Sequence, residues 1–225
     1  DGPAADCLAH LQLADHAGAV TDADAALAPL AQALALRRTY RKAFAASPVT
    51  DEDALALAQA AASEGAALLP LDASQRQRAA ELVAEGDRLQ WDDPRWRREL
   101  AMWMHPRRSG DGLTLPALAA PIAQAVVRSF DLGDGTAARD QQLAAGSPLL
   151  TVLGTIGDDA LAWLCTGQAL QRALLTGCRR GLQASYLNQP LQCASLRPRL
   201  QALTAARLHP QLLIRWGHPG VELPA

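Results

Sequence analysis

The apolar positions along the chain change period several times, and residues 147–190 show the clearest succession of predicted elements. Residues 149–156 form a continuous apolar and partly β-branched run, which is typical of a buried strand. Gly157 ends this run, and Asp158 and Asp159 supply an N-cap and negative charge at a helix start. The pattern therefore predicts a strand that is followed directly by a helix.

The predicted helix continues to about Arg180, and Gly181 stands where a left-handed C-cap is favoured before an extended segment. Gly167 and Gly177 lie inside this helix, and each costs about 1 kcal/mol relative to alanine. Close approach of another helix or of a flat ligand would offset that cost. Tight helix packing is the commoner reason for such glycines, so we expect it here.

Elsewhere the pattern predicts both helices and short strands. The predicted helices cover residues 22–36 with a break at Pro29, 51–65, 74–89, 115–130 and 194–206 with a break at Pro198, and a further helix begins at Asp93-Pro94. N-caps are predicted at Thr21 and Thr50, and short strands at residues 7–13, 66–71 and 212–216. Residues 131–146 are polar and glycine-rich, and they are predicted to form an exposed connection.

Composition and charge argue against several classes of protein. With 21 Lys and Arg against 23 Asp and Glu, the 225-residue chain has a formal charge of −2, which argues against a general nucleic-acid binder. The sequence has no apolar run long enough for a membrane span and no signal-peptide pattern, so we expect no membrane partner and a cytoplasmic location. The length suits a single domain over residues 1–225.

The absence of several short motifs argues against further kinds of functional site. The four cysteines show neither a CxxC pair nor a metal-binding spacing, which predicts reduced thiols and no metal site. The sequence carries no GxGxxG, P-loop, HExxH or GxSxG motif, so it does not support a Rossmann site, a P-loop site or the common hydrolase sites. These patterns predict no catalytic side chain.

The most basic stretch runs from Arg37 to Lys42 and holds four cations in six residues. Thr39 adds a hydroxyl between them, and planar guanidinium groups beside a hydroxyl suit a phosphate. The alternative is a set of cations at a helix end, which composition alone favours. The stretch stays open between a phosphate-binding segment and a basic helix terminus.

Several short motifs occur together in the second half of the chain. They are Trp163-Leu164, Gly167-Gln168-Ala169-Leu170, Arg180-Gly181-Leu182, Asn188-Gln189-Pro190 and His209-Pro210-Gln211-Leu212-Leu213-Ile214-Arg215-Trp216-Gly217. In this combination the chain resembles the nitroreductase superfamily, and most closely its Acg-type branch of NAD(P)H nitroreductases, in which two nitroreductase-like halves are fused. The resemblance covers about residues 20–219 and is most specific over residues 147–219.

The resemblance implies an α+β, nitroreductase-like fold, in which a mainly antiparallel sheet is flanked by helices and FMN binds at an interface between two subunits. It implies an FMN-dependent oxidoreductase that takes electrons from NAD(P)H and reduces nitroaromatics, quinones or similar flat, small-molecule electrophiles. The second subunit would be another copy of the chain, as a homodimer, or the other half of a longer pseudo-dimeric chain. Residues 1–20 would then be the remainder of a missing N-terminal half.

The resemblance also assigns cofactor-binding residues. The predicted FMN-binding residues are Arg37, Arg38, Thr39, Arg41, Tyr186, Leu187 and Asn188. The first four match an Arg-Arg-Ser-x-Arg-like element that grips the FMN phosphate in many nitroreductases. The last three match the extended segment whose backbone contacts the flavin edge, and Leu187 and Asn188 are the main candidates for that backbone contact.

The chain departs from the family pattern in three ways. The expected N-terminal flavin segment and the terminal arginine are absent from this sequence, and no proton donor stands out beyond the candidates His218 and Tyr186. Two alternatives to the enzyme therefore stay open. One is a protein that binds or sequesters flavin with little turnover, and the other is a flavin-free scaffold for protein contacts.

The tryptophan-rich stretch at residues 91–108 has two interpretations. Trp91, Trp96 and Trp103 recur near helical spacing, which is usual for a helix that packs into a core. Because flat aromatic side chains stack on flavins, a lid over the isoalloxazine ring is the alternative. Such a lid would favour the flavin-sequestering function.

Overall fold

The computed structural model describes residues 22–105, 113–129, 132–204 and 208–220. Its helices are α1 (Asp22–Ala31), α2 (Ala33–Leu36), α3 (Asp51–Ala62), α4 (Ala73–Asp92), α5 (Pro94–Trp103), α6 (Ala120–Ser129), α7 (Gly133–Ala145), α8 (Ala160–Arg179), α9 (Gln189–Gln192) and α10 (Arg197–Leu203). Its strands are β1 (Ala67–Pro70), β2 (Met104–His105), β3 (Leu113–Thr114), β4 (Leu149–Thr155), β5 (Gln183–Tyr186) and β6 (His209–Gly217). The strand predicted at residues 7–13 and the Thr21 cap lie outside the described residues.

The α+β class predicted from the sequence is confirmed. Four strands form an antiparallel sheet in the order β1-β4-β6-β5, and helices pack on both of its faces. Strand β6 extends back to His209, beyond the predicted residues 212–216, because a register shift at Leu153 and Gly154 lets its pairing with β4 continue. Gly154 is needed there, since a Cβ at this position would lie 3.0 Å from the His209 carbonyl oxygen.

Side chains alternate between the two faces of β6, as strand geometry requires. Ile214 and Trp216 belong to the core cluster that packs against α3 and α8. Leu213 belongs to the cluster on the other face, with residues of α4, α7 and α10. Arg215 follows the same alternation, so this central strand carries a buried cation on the Leu213 face.

The helix predicted after β4 is confirmed at both ends. Asp159 is its N-cap and accepts a hydrogen bond from the Ala162 N–H at 2.9 Å. Gly181 has a positive φ of 75° just beyond its C-terminus, which is the conformation that an L side chain rarely adopts. The N-cap predicted at Thr50 is likewise confirmed, because its side chain accepts from the Asp53 N–H at 3.1 Å.

Asp158 connects three elements rather than capping α8. Its carboxylate accepts hydrogen bonds from Trp163 Nε1 (2.9 Å), Arg197 Nη2 (3.0 Å) and Gln211 Nε2 (3.1 Å). The Arg197 guanidinium holds the pKa of this carboxyl well below its usual range. Asp158 thereby ties the start of α8 to α10 and β6.

Two expectations about secondary structure are wrong. Residues 131–146 were expected as an exposed connection, but α7 covers Gly133–Ala145 and buries Ala137 and Ala144. The small side chains of this helix let it approach α4 closely, and they give little apolar periodicity. Pro198 does not interrupt a helix, because it stands in the first turn of α10, where its missing N–H costs nothing.

Pro29 lies inside α1, so the break expected at this residue is not found there, and the chain divides into α1 and α2 three residues later, around Gln32. Among the helices of the described residues, none combines the length and the apolar character that a membrane crossing requires.

Candidate functional site

A cavity of about 350 Å³ lies where the segment after α2 meets β5, β6 and α7. It is lined by Thr39, Arg41, Arg139, Asp140, Leu143, Ser185, Tyr186, Leu187 and Arg215. Four of the seven predicted residues, Thr39, Arg41, Tyr186 and Leu187, are therefore brought together, although they come from opposite ends of the chain. Arg37, Arg38 and Asn188 are not among the described residues that line this cavity.

The basic segment reaches the cavity because it runs along the outer edge of β5. Thr39 forms a parallel bridge with Ala184, and the Tyr40 N–H donates to the Ala184 carbonyl at 2.9 Å. Further along, the Ala45 N–H donates to the His218 carbonyl at 2.9 Å. Residues 39–45 are thus held against the sheet, beyond the end of α2.

The two interpretations of the basic stretch apply to different residues. The Arg38 guanidinium donates to the carbonyls of Ala35 and Arg37, as a cation at the end of a helix does. The Arg38 N–H donates to Gln183 Oε1 at 3.0 Å. Arg41, by contrast, lines the cavity beside Thr39. Thr39 and Arg41 are consequently the two residues of this stretch that are placed to meet a ligand in the cavity.

The segment after β5 is anchored to β6. The Leu187 N–H donates to the Leu213 carbonyl at 3.0 Å, and Asn188 Oδ1 accepts from the Leu213 N–H at 3.0 Å. Leu187 lines the cavity, but its side chain belongs to the core cluster that contains Leu213, and its N–H is engaged in the sheet. Tyr186 is half-buried, and burial raises the pKa of its phenol while the charge of Arg37 acts in the opposite direction.

Sequence reasoning missed Arg215, which is 1% exposed. Its Nη2 donates to the carbonyls of Tyr40 and Lys42, each at 3.0 Å, and its guanidinium carbon lies 4.7 Å from the centroid of the Phe44 ring. Burial lowers the pKa of Arg215 to about 10, so it remains a cation at neutral pH. A single charge inside the apolar run of β6 was the signal that could have revealed it.

Helix α7 adds Arg139 and Asp140 to the cavity, and both were missed because this helix was not predicted. Asp140 accepts from Gln189 Nε2 at 2.9 Å, and the same amide donates to Asp87 at 3.1 Å. Within the described part of the chain, Asp87 Oδ2 and Gln189 Oε1 have no hydrogen-bond partner. Asp87, Gln189 and Asp140 therefore form a polar cluster beside the cavity, in which Asp87 is buried and the other two are half-buried.

The charges around the cavity are predominantly positive. Arg41, Arg139 and Arg215 face it together with one carboxyl group, that of Asp140. Burial raises the pKa of Asp140, while the hydrogen bond from Gln189 and the charges of Arg139 and Arg215 act in the opposite direction. Thr39 and Ser185 add hydroxyl groups. This donor set suits an anionic group such as a phosphate.

Two of the three tryptophans of residues 91–103 pack in a core of their own, whereas Trp103 is 45% exposed. Trp91 is buried and meets Trp96 edge-to-face at 5.3 Å between ring centroids, in a cluster with Ala101 and Val127. None of the described residues of this stretch lines the 350 Å³ cavity. Trp91 and Trp96 are therefore core residues, as the first interpretation of this stretch predicted.

Among the described residues there is no group of three or more His, Cys, Asp or Glu side chains that could hold a metal ion.

The chain is similar in sequence to two curated proteins. No protein-family model matches the chain. Two curated proteins of Mycobacterium tuberculosis, from strains CDC 1551 / Oshkosh and ATCC 25618 / H37Rv, are each named "Putative NAD(P)H nitroreductase" and are 34% identical to the chain over 201 residues. The match covers 86% of this chain and 57% of each relative. The chain thus spans just over half the length of these relatives.

Solved structures with the same fold include three flavoproteins. An FMN-dependent nitroreductase from Mycobacterium smegmatis in complex with NADPH has a TM-score of 0.55 and 18% identity, covering 88% of this chain and 95% of that one. Oxidised iodotyrosine deiodinase bound to FMN and 3-iodo-L-tyrosine has a TM-score of 0.57 and 13% identity, covering 87% and 92%. A nitroreductase with bound FMN from Bacteroides fragilis NCTC 9343 has a TM-score of 0.53 and 13% identity, covering 87% and 92%. The chain therefore has the nitroreductase fold, and it is similar to proteins named NAD(P)H nitroreductases over just over half of their length.

Proposed function

We propose that this chain is part of an FMN-dependent oxidoreductase that uses NAD(P)H to reduce nitroaromatics, quinones or similar flat electrophiles. The observation that carries the proposal is the cavity in which Thr39 and Arg41 meet Tyr186 and Leu187. The names of the curated relatives and the FMN in the solved structures support the same activity. When bound, FMN would supply the chemistry by accepting and donating hydride.

The residues around the cavity fit this cofactor. Arg41 and Thr39, aided by Arg139, would hold the phosphate, since guanidinium and hydroxyl donors suit its oxygens. Tyr186 and Leu187 would lie along the edge of the isoalloxazine ring. Arg37, Arg38 and Asn188 would support this arrangement from outside the cavity, through contacts with α2 and β6. We assign no catalytic side chain.

A second nitroreductase-like unit would complete the site. The cavity of about 350 Å³ is at the small end of the range of about 300–1,000 Å³ for ligand pockets. A separate apolar groove of about 690 Å³ lies between α1, α2 and α8, and Leu34, Trp163 and Leu164 are exposed there. We infer that the second unit covers this groove. For this chain alone it would be a second copy, and in a longer polypeptide it would be the other half.

The experiment that tests the function is a visible absorption spectrum of the purified protein, recorded before and after FMN is added and the mixture is desalted. Retained flavin bands that bleach when NADPH is added under nitrogen are the expected result. Retained bands that NADPH does not bleach would indicate flavin storage instead. A colourless protein that cannot be reconstituted would overturn the flavoprotein assignment for this chain.

The substitution Arg41→Ala tests the phosphate assignment. We expect FMN retention to weaken by about tenfold to a hundredfold, because a hydrogen bond to a charged group contributes about 1.5–3 kcal/mol. Lys42→Ala is the matched control, since it removes a neighbouring exposed cation that does not line the cavity. Equal FMN affinity in the two variants, measured by fluorescence titration, would contradict the assignment.

Arg38→Ala should weaken FMN retention less than Arg41→Ala does. The Arg38 guanidinium is engaged with the carbonyls of Ala35 and Arg37 at the end of α2. Its loss therefore affects the helix end more than the cavity. The same fluorescence titration measures both variants, and a larger loss of affinity for Arg38→Ala would reverse the roles given to the two arginines.

A further inference from the structure

Arg215 is a costly residue at its position. It lies in β6, one of the two inner strands of the sheet, and its direct neighbours Ile214 and Trp216 are fully buried. Burial of a charged group costs free energy unless hydrogen bonds and charge partners compensate for it. No carboxylate of the described residues lies within ion-pair distance of the guanidinium, although Asp140 lines the same cavity. The contacts that offset the cost are therefore made to other groups.

Among the described residues, the side-chain hydrogen bonds and the ring contact of Arg215 are made to residues 40–44. Arg215 Nη2 donates to the carbonyls of Tyr40 and Lys42, which are the two residues on either side of Arg41. The guanidinium also lies over the Phe44 ring, which in turn stacks on the Tyr40 ring at 5.4 Å between centroids. A single buried side chain thus holds both ends of the short stretch that carries Arg41.

Arg215 is in addition one of the charged residues around the cavity. Its Nε has no hydrogen-bond partner among the described residues, and the side chain lines the cavity together with Thr39 and Arg41. The other charged groups that face this cavity are Arg139 and Asp140, both from α7. Arg215 is therefore the group that links the central strand, the basic segment and the cavity.

We propose that Arg215 is a positioning residue that holds the backbone of residues 40–42 so that Thr39 and Arg41 face the cavity. The proposal rests on the proposed function and deepens it, because it names the group that preorganises the phosphate-binding segment. This role requires arginine. The planar guanidinium group of arginine donates to two carbonyls and stacks on an aromatic ring, whereas lysine has a compact ammonium group on a flexible side chain.

Hydrogen exchange of the full chain without FMN tests this role. We expect Arg215→Met to speed exchange of the Tyr40 and Ala45 amides about tenfold or more relative to the α8 amides, because two charge-assisted hydrogen bonds are lost. Ile214→Ala is the control, since it removes a buried side chain from the opposite face of the same strand. Equal relative exchange in Arg215→Met and Ile214→Ala would overturn the proposal.

Arg215→Lys separates geometry from charge, and it carries the test alone if Arg215→Met does not fold. We expect faster exchange at Tyr40 and Ala45 than in the native chain, since lysine cannot hold both carbonyls in the same way. Native exchange rates in Arg215→Lys would overturn the proposal, because a positive charge without the geometry of arginine would then be enough to order residues 40–42.

FMN titration distinguishes this proposal from the proposed function. If the native chain retains FMN, Arg215→Met should weaken retention by about tenfold or more beyond the effect of Ile214→Ala. Equal retention in the two variants would overturn the positioning role while leaving the flavoprotein function in place. If the native chain retains no FMN, the proposed function fails, and the exchange experiment still decides whether Arg215 orders residues 40–42.

Discussion

At the residue scale, a buried carboxyl group near the cavity contributes to the pH dependence of stability. Asp87 is 3% exposed, and burial, aided by the charge of Asp140, raises its pKa to about 6. In the unfolded chain this carboxyl titrates near its ordinary value of about 3.9. Between these two values the folded state binds more protons than the unfolded state, so the contribution of Asp87 to stability falls as pH rises through that window.

Asp87→Asn should therefore stabilise the fold above pH 6 and have little effect near pH 4. The expected difference in the free energy of unfolding grows to about 3 kcal/mol at neutral pH, because each unit of pKa shift corresponds to about 1.36 kcal/mol. Urea unfolding at several pH values measures it. Asp134→Asn is the control on a highly exposed carboxylate of α7. A pH-independent difference between Asp87→Asn and the native chain would contradict the assignment.

At the element scale, the two interior glycines of α8 have different surroundings, which explains why one of them is required. A Cβ at Gly177 would lie 3.1 Å from Trp216 Cζ3 and 3.2 Å from Leu57 Cδ2, and both of these side chains are fully buried. A Cβ at Gly167 would meet no heavy atom of the described residues within 4 Å. The tight packing expected from the sequence is thus found at Gly177 and not at Gly167.

The two substitutions to alanine should have opposite signs. Gly177→Ala is expected to destabilise the fold by about 1–3 kcal/mol, since overpacking against Trp216 and Leu57 outweighs the gain in helix propensity. Gly167→Ala is expected to stabilise it by up to about 1 kcal/mol. Thermal or urea unfolding of the two variants measures both effects. Stabilisation by Gly177→Ala would show that Trp216 and Leu57 yield more easily than this packing indicates.

At the scale of the whole molecule, the proposed covering of the apolar groove along α8 by a second unit predicts how the chain associates. Leu34 and Trp163 are 57% and 54% exposed at the groove, and such contiguous apolar surface usually marks an interaction site. If a second copy covers the groove, self-association and completion of the cofactor site would be linked. FMN should then stabilise the associated form.

Leu34→Glu should shift the chain from dimer to monomer, because it introduces a charge into an interface that must be desolvated. Light scattering after size-exclusion chromatography measures the molar mass. Leu118→Glu is the control, since Leu118 is 91% exposed and does not line the groove. A native chain that is monomeric at all accessible concentrations would contradict the role of a second copy.

Particular elements show where sequence reasoning succeeds. The strand β4, the Asp159 cap and the turn at Gly181 were predicted because their signals lie in adjacent residues. Helix α7 was missed because it packs through alanine and glycine, which leave no strong apolar period. Helix α10 was expected to break at Pro198, although proline is well suited to a first turn.

The sequence by itself determined most of the local elements and, through its motifs, the resemblance to nitroreductases from which the α+β class was expected. It also identified Thr39, Arg41, Tyr186 and Leu187, which the fold brings to one cavity. Only the tertiary structure decided that Arg215, Arg139 and Asp140 join them there. The physical reason is that the face on which a strand residue lies depends on its register with distant partners, and the residues near a helix depend on what packs against it. Neither is encoded within a few neighbouring positions.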